Sequence, residues 1–124
     1  MPETGKPLQP APARLRKRAE FLAVRRGEKR RGRFFLLEVL DRGDQDYARV
    51  GFTVTKKIGN SVVRNRLKRR LRALVRQVLP EAGIAGADHV LIGRDAGLTR
   101  DFAVLDSDLR KALAKCTSGK AGAK

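Results

Sequence analysis

Between residues 47 and 80 the chain carries ten Lys and Arg side chains and not one Asp or Glu. Within that stretch, Val63, Leu67, Leu71, Leu74 and Val78 fall on one ~80° stripe of a helix, and Val75 and Leu79 widen it. Asn65, Arg66, Arg69, Arg72 and Arg76 take the opposite side. Such a helix must bury one face in a core and offer the other to solvent or to an anion. Asn60 or Ser61 supplies the N-cap, and Pro80 marks the expected end. Arg64 falls toward the apolar stripe, but its place in the first turn lets the long side chain reach water.

The remaining segments build a single domain around that helix. Met1 to Ala13 holds four of the five prolines and reads as an extended arm. Arg14 to Arg26 predicts a helix with Leu15, Ala19, Leu22 and Ala23 on one stripe and Phe21 beside it. Gly27 stops it, and Glu28 to Gly32 reads as an exposed basic turn. Arg33 to Leu40 is rich in strand formers, and Asp41-Arg42-Gly43-Asp44 is a turn. Arg49 to Thr55 alternates, with Val50, Phe52 and Val54 on one face and Arg49, Thr53 and Thr55 on the other. These two strands predict an antiparallel hairpin with one polar face. His89 to Ile92 is apolar on both faces, as a central strand requires. Asp101 to Lys115 closes the domain as a helix with Leu105, Leu109 and Leu113 spaced by four, leaving 116–124 as a flexible tail. The expected class is α+β, in the order α-β-β-(β)-α-β-α.

A length of 124 residues suits one hydrophobic core. With 29 Lys+Arg against 13 Asp+Glu the net charge is +16, which calls for a polyanionic partner. The excess sits in the front two thirds, since residues 81–124 hold seven basic and six acidic side chains. Soluble surfaces normally mix both signs, so an acid-free stretch is more than a solvated face. No apolar run reaches the ~18 residues of a membrane span, and a reducing cytoplasm is the expected compartment. One cysteine, Cys116, and one histidine, His89, leave no internal disulfide and no paired-ligand zinc motif, and both read as structural. Asp106 and Asp108 do not share a helix face, and no glycine-rich loop leads into a Gly-Lys-Ser/Thr. The polypeptide is therefore expected to carry no metal and no active site of its own.

The informative block runs Thr55-Lys56-Lys57-Ile58-Gly59-Asn60-Ser61-Val62-Val63-Arg64-Asn65-Arg66-Leu67-Lys68-Arg69-Arg70-Leu71-Arg72. A strand ends in two lysines, a glycine allows a tight turn, and a helix opens carrying arginines. Helix N-termini attract phosphate, and guanidinium groups add planar bidentate contacts. Physical chemistry alone says nucleic acid and does not say which. A helix preceded by a strand lacks the helix-turn-helix spacing of DNA readers, and the apolar helix face is needed by the sheet rather than by a membrane.

The block resembles the signature of the bacterial ribonuclease P protein subunit, whose hallmark is an Arg-Asn-Arg helix, here Arg64-Asn65-Arg66. The likeness continues through Arg14-Leu15-Arg16-Lys17, Glu20-Phe21 and Val50-Gly51-Phe52-Thr53-Val54, so it spans roughly residues 14–115. It implies a fold like the second domain of ribosomal protein S5, with a left-handed βαβ crossover. It also implies a division of labour. The RNA subunit of ribonuclease P, with Mg²⁺, removes the 5′ leader of precursor tRNA, and the protein supports that RNA and holds the leader between its first helix and the sheet. Carried onto this chain, Lys56, Lys57, Asn60, Arg64, Asn65, Arg66, Lys68, Arg69 and Arg72 face the RNA subunit. Phe21 matches the aromatic of the leader cleft, and base stacking beside a basic groove would also use Arg49, Thr53 and Thr55. Two family aromatics are absent, with Arg25 and Glu38 in their places, so Arg14, Arg25 and Arg33 are expected to supply charge where stacking is lost. A ribosomal or RNA-chaperone protein without a role in tRNA processing is the alternative from another class.

Overall fold

The computed structural model describes residues 12–43 and 48–122. Asn60 is extended, and its Oδ1 accepts the Val63 N–H at 3.0 Å, which opens helix α2, Ser61–Ala82. Leu67, Leu71, Leu74, Val75, Val78 and Leu79 are buried along it, as the stripe predicts. Pro80 does not end the helix. It forfeits only the bond to the Arg76 carbonyl, on the exposed side, and the chain leaves the helix at Gly83, whose N–H donates to Leu79 O at 2.8 Å.

After α2 comes β5, Ala87–Gly93, which lies parallel to β4, Arg49–Thr53. On its other side β5 runs antiparallel to β3, Phe35–Asp41. The expected hairpin of β3 with β4 is therefore wrong: β5 separates them. Alternation tells which face a side chain takes and leaves the neighbouring strand open. A strand apolar on both faces gains most from the centre, and β5 takes it.

Two further strands complete the order β1-β4-β5-β3-β2. Strand β1, Ala13–Arg14, pairs with β4 in parallel, so Ala13 belongs to the sheet rather than to an arm, while residues 1–11 lie outside the described ones. Strand β2, Glu28–Arg31, stands where a basic turn was expected. Its charges suit an edge strand, where they discourage pairing with another chain. Of the expected turn after β3, Asp41 Oδ1 accepts the Gly43 N–H at 2.9 Å, and Asp44 lies outside the described residues.

Helix α1, Arg18–Val24, is shorter than its pattern. Glu20 Oε1 accepts the backbone N–H groups of Arg16 and Lys17 at 2.9 and 3.0 Å, which sets the start of the helix. Ala19 and Leu22 of the expected stripe are exposed, and Phe21 and Val24 turn inward instead. Helix α3, Phe102–Gly122, buries Leu105, Leu109 and Leu113 and continues past the expected end at Lys115. Cys116 is buried with them, so the segment from 116 opens as helix rather than as tail. Burial pushes its thiol pKa up, away from reactivity. Helices α2 and α3 cover one sheet face over Leu37, Val39, Val50 and Leu91. On the other face α1 covers part of the sheet, with Leu15, Val24 and Val90 at the centre of a second, smaller core.

His89 belongs to the structure, as its reading from the sequence had it. Its Nδ1–H donates to the Arg49 carbonyl at 3.1 Å, and its Nε2 accepts the Ile84 N–H at 3.2 Å. Burial pushes its pKa down from 6.5 to about 4. An unfolded His89 takes a proton below its ordinary pKa, whereas the folded one stays neutral until much lower pH, so stability drains away across that interval as pH falls. From this residue the loss between pH 7 and pH 4.5 should be roughly 2 kcal/mol. Urea unfolding at the two pH values checks it, with His89→Gln expected to flatten the difference.

Candidate RNA interface

The outer side of α2 is a row of cations with no internal use. Lys56 and Lys57, in the turn Lys56–Ile58 after β4, and Asn65, Arg66, Lys68, Arg69, Arg72 and Arg76 on the helix make no side-chain hydrogen bond or ion pair among the described residues. Gly59 makes the turn tight, since a Cβ there would sit 3.1 Å from the Val63 side chain. Two members of the expected set have structural duties. Asn60 caps the helix, and Arg64 is half-buried with its Nε donating to Gly59 O at 3.2 Å. Arg70 is turned inward as well, donating from Nε to Gly97 O at 2.9 Å and from Nη2 to Arg100 O. The free members converge on one elongated positive ridge, which can pair with successive phosphates.

The second surface lies on the opposite sheet face. Phe21 rests on Gly51 so closely that a Cβ there would stand 2.5 Å from its ring. Its ring is half-buried against the Leu15, Val24 and Val90 core, which makes it both packing and surface. Register places Thr53, Ile92, Leu36 and Arg31 side by side across β4, β5, β3 and β2. The first three are only half-buried and Arg31 is exposed, so an aliphatic strip stays open beside the row that carries Gly51 and Val90. Leu36 and Ile92 were not foreseen, although strand alternation sets them opposite buried Leu37 and Leu91. Thr55 is exposed just past the end of β4, and Arg25 is exposed at the end of α1.

Arg49, Arg14 and Arg33 do not join that cleft as expected. Arg49 donates from Nε and Nη2 to both carboxylate oxygens of Asp88, at 2.7 and 2.8 Å, and from Nη1 to Glu20 Oε2 at 3.3 Å. Arg42 Nη1 adds a bond to Asp88 Oδ1 at 2.6 Å. Burial raises the Asp88 carboxyl pKa, but the two guanidiniums outweigh it and hold the group below its ordinary range. Arg49 is thus a structural clamp between α1 and the sheet. Arg14 sits on the α2 side of the edge, lining a ~220 Å³ groove with Arg72 and Arg76. Arg33 stands at the end of the sheet beside α3. Glu38, in the place of a family aromatic, is buried rather than presented to solvent. Its nearest charge is Lys29 Nζ at 3.9 Å.

A free basic ridge on a strand–turn–helix, with an aromatic-edged cleft on the other sheet face, can now be set beside known proteins. A family model described as Ribonuclease P matches residues 10–117. The chain belongs to the ribonuclease P protein family. It is 51% identical over 110 residues to the ribonuclease P protein component of Erythrobacter litoralis, covering 88% of this chain and 89% of the relative. It is 56% identical over 103 residues to that of Gluconacetobacter diazotrophicus, covering 82% and 89%. Among solved structures, a ribonuclease P protein of Staphylococcus aureus, a mutant described as having defective mRNA degradation activity, aligns with TM-score 0.70 at 28% identity over 84% of this chain and 87% of that one. The ribonuclease P protein of Thermotoga maritima aligns with TM-score 0.63 at 30% identity over 82% and 92%. Among the described residues of this ribonuclease P family chain, no group of three or more His, Cys, Asp or Glu is placed to hold a metal ion, and no helix is long and apolar enough to cross a membrane.

The clamp makes a direct prediction. Asp88→Ala leaves Arg42 and Arg49 without their shared carboxylate and should destabilise the protein by about 3 kcal/mol. Chemical denaturation measures this, and Asp88→Asn should recover part of the loss through its remaining acceptor oxygen.

Proposed function

We propose that this chain is the RNA-binding protein subunit of a ribonuclease P holoenzyme, working in the cytoplasm. The ridge of α2 binds the RNA subunit, and the cleft beside Phe21 binds the 5′ leader of precursor tRNA. The RNA subunit, with its Mg²⁺, carries out the phosphodiester hydrolysis. The observation that carries this reading is the run of lysines, arginines and Asn65 around the Arg64-Asn65-Arg66 signature that the fold leaves without internal partners. Soluble proteins normally balance such charge, and an RNA backbone supplies the missing counter-charge. In the cleft, Phe21 offers a face for base stacking, Leu36 and Ile92 an apolar floor, and Arg25 and Arg31 the charge that tracks a single strand.

The chain's residues bind and orient in this scheme; none is asked to move a proton. Purified, RNA-free protein should therefore cleave nothing, and adding it to the cognate RNA subunit should promote leader removal at low Mg²⁺. Leader removal by the protein alone, or no stimulation of the RNA, would overturn the reading and favour a ribosomal or RNA-chaperone role. Arg66→Ala should weaken RNA-subunit binding by roughly 1–3 kcal/mol with an unchanged circular-dichroism spectrum. Phe21→Ala should weaken precursor binding by roughly 1–3 kcal/mol and leave mature tRNA binding nearly unchanged. Because its ring is half-exposed, the same variant should lose less stability than the ~3–5 kcal/mol of a fully buried phenylalanine, as thermal unfolding will show.

A further inference from the structure

A cavity of about 610 Å³ opens between α3, the end of β2 and the turn into β3, and of its residues only Arg31 also borders the Phe21 cleft. Its charged walls are Arg30, Arg31, Arg33, Arg94 and Lys115, with Asp108 as the single acid. Val104 and Ala112 of α3 line its apolar side. These residues come from three separate stretches of chain, which the sheet order brings together: β2 and β3 pair antiparallel, and Phe35 stands opposite Gly93, next to Arg94.

The side chains of Arg31, Arg33, Arg94 and Lys115 have no ion pair or hydrogen bond among the described residues. Arg30 reaches Glu28 Oε2 at 2.5 Å through Nη2, yet its buried Nε has no acceptor. Several unpaired cations around one concavity repel one another, and a buried donor without an acceptor costs stability. An oxyanion in the cavity relieves that repulsion. The volume lies within the ordinary range for a bound small group or nucleotide.

We propose that this cavity is a second phosphate site, which seats a phosphodiester of the RNA subunit. The proposal rests on the reading that the chain binds that RNA through α2. The source follows from the topology. Helices α2 and α3 share one sheet face, and the parallel pairing of β4 with β5 sets Arg94 at the same end of the sheet as Lys56 and Lys57. A strand lying on the ridge can reach the cavity around that end, whereas the Phe21 cleft lies on the other face.

The test compares full-length wild-type protein, Arg33→Gln/Arg94→Gln, the single variant Lys115→Gln and the ridge variant Arg66→Ala, using the cognate RNA subunit as the probe over a salt series. Arg33 and Arg94 are exposed, so the double variant should keep its melting temperature. Its slope of log affinity against log salt should become shallower by roughly 1–2, with about a tenfold loss of affinity near 0.1 M salt. Lys115→Gln should give a smaller change of the same sign, which keeps the test open if the double variant misfolds. The preference for precursor over mature tRNA in the assembled holoenzyme should stay as in wild type. An unchanged slope beside a weakened Arg66→Ala would overturn the cavity site and leave the ridge assignment standing. No effect from any variant would overturn both. A fall in the precursor preference would assign the cavity to the leader and overturn the source proposed here.

Discussion

One carboxylate fixes how the first helix lies over the sheet, and with it the geometry of the cleft beside Phe21. Asp88, at the start of β5, is buried and takes hydrogen bonds from Arg49 on β4 and Arg42 beyond β3. Arg49 also reaches Glu20 on α1, whose other oxygen sets the start of that helix. Four segments distant in sequence are thereby joined at one end of the sheet. The pairing withdraws two arginines from a strongly basic surface and spends their charge on architecture. A buried pair of this kind is weak evidence for extra stability, but breaking it is expensive, so its main effect is to fix where α1 lies over the sheet.

Part of the charge left over gathers at the other end. Strands β4 and β5 run parallel, and their far ends carry Lys56, Lys57 and Arg94, while β2 and the turn into β3 add Arg31 and Arg33. Between residues 47 and 80 the sequence offers no acid at all, so nothing local can neutralise these groups. The fold thus divides its cations by use. Arg42, Arg49, Arg64 and Arg70 are held by internal acceptors, and the rest of the ridge is free for phosphate. Sequence position does not separate the two kinds: Arg69 and Arg70 are neighbours with opposite fates.

Legibility from the sequence followed the strength of the physical signal. Helix α2 was readable because its stripe and its Asn60 cap agree, and the centrality of β5 because both of its faces are apolar. The neighbour of β4 was not readable, since alternation carries no information about pairing partners. Strand β2 was hidden because Glu28-Lys29-Arg30-Arg31 is charged throughout and becomes a strand only through β3. For the site, the Arg-Asn-Arg block pointed to the ridge directly. Arg49 misled, because strand alternation correctly gave its face but could not show that Asp88, 39 residues away, would claim it. Leu36 and Ile92 became candidate cleft residues only once the register was known.

The sheet order also dictates when the fold can exist. Its middle strand, Ala87–Gly93, comes late in the chain, yet β4 and β3 meet only through it. During synthesis the first eighty or so residues emerge without the strand that unites them, and no early hairpin between β3 and β4 stands in for it. Contacts of such long sequence separation form slowly. Until the last third leaves the ribosome, a nascent chain whose first 80 residues hold 22 Lys and Arg against 7 Asp and Glu must wait for that strand beside cellular RNA. The topology therefore makes the interval before β5 emerges the one in which premature, non-native RNA association competes most directly with folding.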